Sequence, residues 1–268
     1  MRQSRIAACT ASLLLAAACA FADPATAEVP QTAAAEYVAL GDSYSAGVGA
    51  GAYLPSGTGC KRSSRAYPVL WAEVHSPSSF SFAACNGARA SDVLTDQLDR
   101  LGARTRLVTL TVGGSDSGFA TVMTVCALGG GTRCASAVSS ARATMDGPLA
   151  ENLNRLYTTI RNRAPSAHVV VLGYPHLYHL RGACVVGLPE AQRSAINAAV
   201  DHLNEVIAKR AVDHGFTFAD VTGTFAGHEI CSSRPWLHSV DVLAITESYH
   251  PTAPGQSLGY LPVLSRVT

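Results

Sequence analysis

The sequence predicts a single α/β domain, a three-layer α/β/α sandwich built on a mostly parallel central sheet. Three observations predict it. Short apolar runs of strand length alternate along the chain with stretches of helical length, the pattern of strands covered on both faces by crossover helices. The chain has 268 residues, 48% hydrophobic and 15% charged, enough to bury one full core. No long repeat or disordered tail interrupts the alternation.

The strands follow from the apolar runs at 37–40, 107–112, 168–172 and 216–221, with a weaker run at 79–83. Helical patterns lie between them at 66–74, 91–101, 149–163 and 189–214. In the last of these, Ile196, Val200, Leu203, Val206, Ile207 and Ala211 share one stripe, so this helix faces the core and His202 belongs to its surface. The triplet Gly129-Gly130-Gly131 between Cys126 and Cys134 reads as a flexible surface loop closed by a disulfide, with no phosphate-binding spacing.

The first segment carries Arg2 and Arg5, then an apolar run at 6–21, then small residues ending Ala25-Thr26-Ala27. This predicts a secretory signal over residues 1–27, a mature domain over 28–268 and an extracellular protein. A lipoprotein alternative at Cys19 is disfavoured by Ala16, where a larger aliphatic residue is usual. The mature chain would keep 18 basic and 18 acidic residues, and no clustered basic face suggests nucleic-acid binding. It would also keep six cysteines, an even number that in an exported chain reads as three disulfides. Of the 15 connectivities that six cysteines allow, the sequential set Cys60–Cys85, Cys126–Cys134 and Cys184–Cys231 is expected, each bridge closing one excursion from the scaffold. A zinc cluster would want paired C-x-x-C spacing, which is missing, and no metal or cofactor is expected.

The chemistry starts at Gly41-Asp42-Ser43, where an apolar run delivers a serine onto a glycine-flanked turn. A serine hydroxyl is a weak nucleophile unless a base activates it. His250 is the candidate base, because Pro251 favours an extended loop conformation for it and a loop can reach over the strand ends. Glu247, three residues earlier, is the candidate to orient its other ring nitrogen, with the Ser248 carbonyl as the rival. Two further glycine sites end strands, at Cys85-Asn86-Gly87-Ala88 and at Gly113-Gly114-Ser115-Asp116, where backbone N–H groups can approach a bound substrate closely.

These four blocks, in this order, resemble the SGNH (GDSL) hydrolases, in particular the secreted lipases and esterases of actinobacteria. The resemblance runs through nearly the whole mature chain and implies a flavodoxin-like fold. By position it implies Ser43 as nucleophile, His250 as base and Glu247 as orienting acid, with an oxyanion hole from the backbone N–H groups of Ser43 and Gly87 and a third donor at Ser115. In the family the third block reads Gly-Gly-Asn-Asp. Ser115 stands where the asparagine amide would donate, so an impaired or retuned esterase is expected.

The expected activity is therefore secreted carboxylic-ester hydrolysis through an acyl-serine, on an ester or lipid substrate, by a monomer without stable membrane insertion. The competing readings are a catalytically weakened lipid- or glycan-binding protein on the same scaffold, a phospholipase A1 and an acyltransferase. Fatty-acyl length and substrate class are open at this level.

Overall fold

Five short strands make one sheet in the order β2-β1-β3-β4-β5, every neighbouring pair parallel. They are β1 (Glu36–Ala39), β2 (Ser79–Phe82), β3 (Thr105–Leu110), β4 (His168–Leu172) and β5 (Thr217–Ala219). The structure is a computed structural model that describes residues 36–55, 59–181, 184 and 187–268. The expected leader and Cys19 lie outside the described residues.

The strands are short and nearly all apolar because both faces are covered. Val169, Val170, Val171 and Leu172 are all buried, as are Tyr37, Val38, Ala39 and Leu40. The chain runs from β1 outward to β2, then back past β1 to β3, β4 and β5. With right-handed crossovers this reversal puts the β1–β2 helix on one face and the later crossover helices on the other. The helices pack accordingly. α2 (Tyr67–His75) packs with the C-terminal helix Leu261–Val267, and α6 (Glu190–Asp213) packs with both α4 (Phe119–Thr144) and α5 (Ala150–Arg163). The order 2-1-3-4-5 places the switch point between β1 and β3, and ligands in such sheets bind beyond the carboxyl ends of the strands there.

The expected strands and long helices form at or close to the expected positions, and the stripe of α6 is buried as read, apart from Val206, which is partly covered. The stretch expected at 91–101 is an irregular helix instead. A first turn, α3 (Ala90–Asp92), widens through Val93–Gln97 and tightens at Leu98–Arg100. The widened turn holds Gln97 buried beside β1, where its amide accepts from the Gly41 N–H at 2.8 Å and donates to the Gly41 carbonyl at 2.9 Å.

The loop expected at Cys126–Cys134 is not a loop. It is helical on both sides of a break at Gly130, whose backbone (φ 73°, ψ 175°) leaves the helical region. Eight residues of straight helix would span about 12 Å. The Cα atoms of Cys126 and Cys134 are 4.3 Å apart, so the arms fold back on one another and the disulfide closes the hairpin. Glycine supplies the positive φ that this reversal needs. The other two bridges also pair as expected, Cys60 with Cys85 and Cys184 with Cys231. Among the described residues no helix is long and apolar enough to cross a membrane.

Candidate active site

The end of β1 shapes the turn that carries Ser43. Gly41 has φ +120°, and a Cβ there would lie 2.4 Å from the Thr111 carbonyl oxygen, so only glycine fits against the neighbouring strand end. Asp42 then caps α1 (Ser43–Ala46). Its carboxylate accepts from the Tyr44 N–H at 3.0 Å, the Thr111 hydroxyl at 2.6 Å and the Tyr174 hydroxyl. Burial raises the Asp42 carboxyl to about 6, against the lowering effect of these three hydrogen bonds. Ser43 is therefore the first helical residue, fixed by a capping aspartate that is itself held from three elements.

His250 arrives on a loop held by its own backbone. The His238 N–H donates to the His250 carbonyl and the Tyr249 N–H to the His238 carbonyl, both at 2.9 Å, while the Tyr44 hydroxyl donates to the Tyr249 carbonyl at 2.7 Å. Nε2 of His250 lies 2.7 Å from Ser43 Oγ, and Nδ1 lies 3.0 Å from the Ser248 carbonyl oxygen. A carbonyl only accepts, so the proton sits on Nδ1 and Nε2 is left to accept from the Ser43 hydroxyl. Burial pushes the His250 pKa down to about 4. The Ser248 carbonyl and the Glu247 backbone oppose this shift, and His238 and Lys61 add to it. The ring is therefore neutral, the state a base requires.

Glu247 is not where the sequence reading put it. Its carboxylate accepts from the Tyr53 hydroxyl at 2.7 Å and lies 3.7 Å from Lys61 Nζ. The cause is local geometry. The turn Ile245–Glu247 is followed by Tyr249 at φ 68°, a left-handed conformation that is uncommon for a tyrosine, and the Ser248 carbonyl is the group that meets the histidine ring.

The remaining expected groups converge on Ser43. Gly87, at φ 78° with open space about it, and Ser115 line a cavity of about 370 Å³ together with Ser43 and His250. Among the described residues neither the Ser43 nor the Gly87 N–H meets a protein acceptor, and the Ser115 hydroxyl makes no hydrogen bond. The Cys60–Cys85 disulfide and the Asn86 N–H to Cys60 carbonyl bond (3.0 Å) hold the Gly87 turn, and Cys85 N–H donates to the Gly41 carbonyl at 3.0 Å. Asp116 ties the third block to the second by accepting from the Ala90 N–H at 3.0 Å, and burial raises its pKa. Phe119, Tyr174, Leu177, Val200 and Leu203 give the cavity an apolar wall, and Arg89 brings one cation to its lining. A larger cavity of about 550 Å³ runs along β2 between Arg62 and Arg100 but contains neither Ser43 nor His250.

Sequence reasoning missed the support beneath this site, namely Thr111, Tyr174 and Gln97. Each comes from a different part of the chain, and none carries a local signal. Among the described residues no group of three or more His, Cys, Asp or Glu side chains is placed to hold a metal ion.

The sequence matches the GDSL-like Lipase/Acylhydrolase family over residues 39–258. It is 55% identical to Lipase 1 of Streptomyces coelicolor over 266 residues, covering 99% of each chain. The fold superposes on the crystal structure of an extracellular lipase from Streptomyces rimosus with TM-score 0.85 at 56% identity, covering 88% of this chain and 100% of that one. It is equally similar to phospholipase A1 from Streptomyces albidoflavus NA297, with TM-score 0.86 at 54% identity and the same two coverages.

Proposed function

Since this chain belongs to the GDSL-like lipase/acylhydrolase family and is a serine ester hydrolase, we propose that Ser43 is its nucleophile, His250 its base and the Ser248 carbonyl the group that orients the base. The observation that carries this reading is the 2.7 Å contact between Ser43 Oγ and His250 Nε2, with Nδ1 committed to Ser248. As Ser43 Oγ bonds to the ester carbonyl carbon, its proton passes to Nε2. The carbonyl oxygen takes up negative charge and is met by the N–H groups of Ser43 and Gly87. The C–O bond to the alcohol breaks, and His250 hands its proton to the leaving oxygen. Water then attacks the acyl-serine with His250 again as base, releasing the acid and restoring Ser43.

The third donor is the weak point of the site. A serine at 115 has a shorter reach than an amide, so the developing charge rests mainly on two backbone N–H groups. The apolar wall suits an acyl chain, which favours a lipid or long-chain ester. A glycerophospholipid is the second substrate reading, favoured by Arg89 in the lining of the same cavity. Residues 1–27 act as the secretory signal and the mature protein works outside the cell as a monomer. The three disulfides support export.

The test is labelling by a fluorophosphonate, which needs an activated serine, alongside p-nitrophenyl esters of increasing acyl length and phosphatidylcholine. Labelling and hydrolysis are expected in the natural protein and lost in Ser43→Ala. Labelling that survives Ser43→Ala would place the nucleophile elsewhere.

A further inference from the structure

Nine large hydrophobic side chains stand exposed among the described residues, and four of them fall within six consecutive positions. Val240 is 49% exposed, Val242 83%, Leu243 96% and Ile245 63%. A single exposed leucine is ordinary, whereas a contiguous apolar patch marks contact with something apolar.

The loop is built to present them. Asp241 turns its carboxylate back to accept from the N–H groups of Leu243 at 2.9 Å and Ala244 at 3.2 Å, so its acceptors serve the loop's own backbone. Lys61 donates to the Thr246 hydroxyl and lies beside Glu247, so the charges flanking the loop are paired with each other. The base of the loop is also the base of the catalytic loop. The Asp241 N–H donates to Ser248 Oγ at 2.9 Å, and the backbone of His238 donates to the His250 carbonyl and accepts from the Tyr249 N–H. Tyr249 packs edge-on against Phe119, a wall residue of the cavity, with ring centroids 5.8 Å apart.

We infer that the 240–245 loop is the surface by which this enzyme docks on aggregated substrate, with Val242, Leu243 and Ile245 entering the acyl layer of a lipid surface. The inference rests on the ester-hydrolase reading. Esters whose acyl chains fit an apolar cavity gather in water into droplets or bilayers, and an apolar surface continuous with the loop that carries His250 is where such an aggregate meets the site. The acyl chain then has a short path from the aggregate to Ser43 without full exposure to water.

The test compares natural protein with V242S/L243S on soluble p-nitrophenyl butyrate and on phosphatidylcholine vesicles, with vesicle binding read by co-sedimentation in the Ser43→Ala background. The soluble ester should be turned over equally by both, which also shows that the variant is folded. Vesicle binding and vesicle hydrolysis should fall by about tenfold or more, from the lost apolar transfer of two side chains. Equal vesicle binding by the two proteins would overturn the proposal. So would a natural dimer that the substitutions dissociate while vesicle binding persists, which would make the loop a self-association surface. Failure of the natural protein to hydrolyse the soluble ester would instead count against the ester-hydrolase reading, leaving vesicle binding in the Ser43→Ala background to decide the docking role on its own.

Discussion

The imidazole of His250 is oriented by the backbone of a residue two positions before it: Nδ1 lies 3.0 Å from the Ser248 carbonyl oxygen. A carbonyl fixes the tautomer as a carboxylate would, but it brings no full negative charge to stabilise the imidazolium. With burial dominating, the ring resists protonation.

Glu247→Gln should therefore leave kcat on a short acyl ester within about threefold of the natural value, because a glutamine oxygen still accepts from the Tyr53 hydroxyl and only a partly exposed pairing with Lys61 is lost. Removing the charge of a true triad carboxylate costs about 10⁴-fold in kcat. Steady-state kinetics at neutral pH separate the two outcomes, and a loss of that larger size would return Glu247 to the triad.

The pH dependence follows from the His250 pKa of about 4. The base stays neutral on acidification well past the usual histidine range, so kcat/KM on a soluble ester should hold from neutral pH to about 5 and halve near 4. Stability responds to acid earlier than activity does. Below about pH 6.5 the unfolded chain takes up a proton at this residue that the folded chain refuses, so folding loses free energy as pH falls, by about 3 kcal/mol at pH 4. His250→Gln removes that loss, while the raised pKa of Asp42 acts in both proteins. Urea denaturation at pH 7 and pH 4 should show the variant gaining on the natural protein by this amount. A constant difference between them would mean that the folded histidine titrates normally.

Ser115→Asn should raise kcat on a short acyl ester by about 10–100-fold, somewhat less than the cost of deleting a donor from a complete oxyanion hole. Position 115 lines the cavity beside Ser43, its hydroxyl is uncommitted, and the cavity has room for the longer amide. KM should change little, because the added hydrogen bond strengthens as charge develops on the oxygen. An unchanged kcat would show that two backbone donors already suffice.

Much of this is legible in the sequence, for physical reasons that differ from residue to residue. The strands are visible because burial on both faces demands unbroken apolar runs such as Val169-Val170-Val171-Leu172. Ser43 and His250 are visible because a glycine and a proline mark the backbone conformations that deliver them. The orienting group is ambiguous in sequence, since every residue has a carbonyl and only the turn at Tyr249 selects the one on Ser248. The hairpin of α4 is hidden because three glycines in a row suggest a loop, and because its apolar residues do not form one continuous helical stripe. The 240–245 loop announces only hydrophobicity, which sequence alone cannot assign to core or surface.

That hairpin gives the last prediction. The Cys126–Cys134 bridge closes a loop of eight residues, and restricting such a loop in the unfolded chain contributes about 2–3 kcal/mol. The double variant Cys126→Ser/Cys134→Ser should therefore unfold about 5–10 °C lower by calorimetry. Activity on a soluble ester should be nearly unaffected, because the first turn of α4, which lines the cavity, is anchored by Val122 and Met123 in the core. An unshifted Tm would mean that packing alone holds the arms together around Gly130. A loss of turnover with the fold intact would mean that the closed end of the hairpin sets the position of Phe119 in the cavity wall.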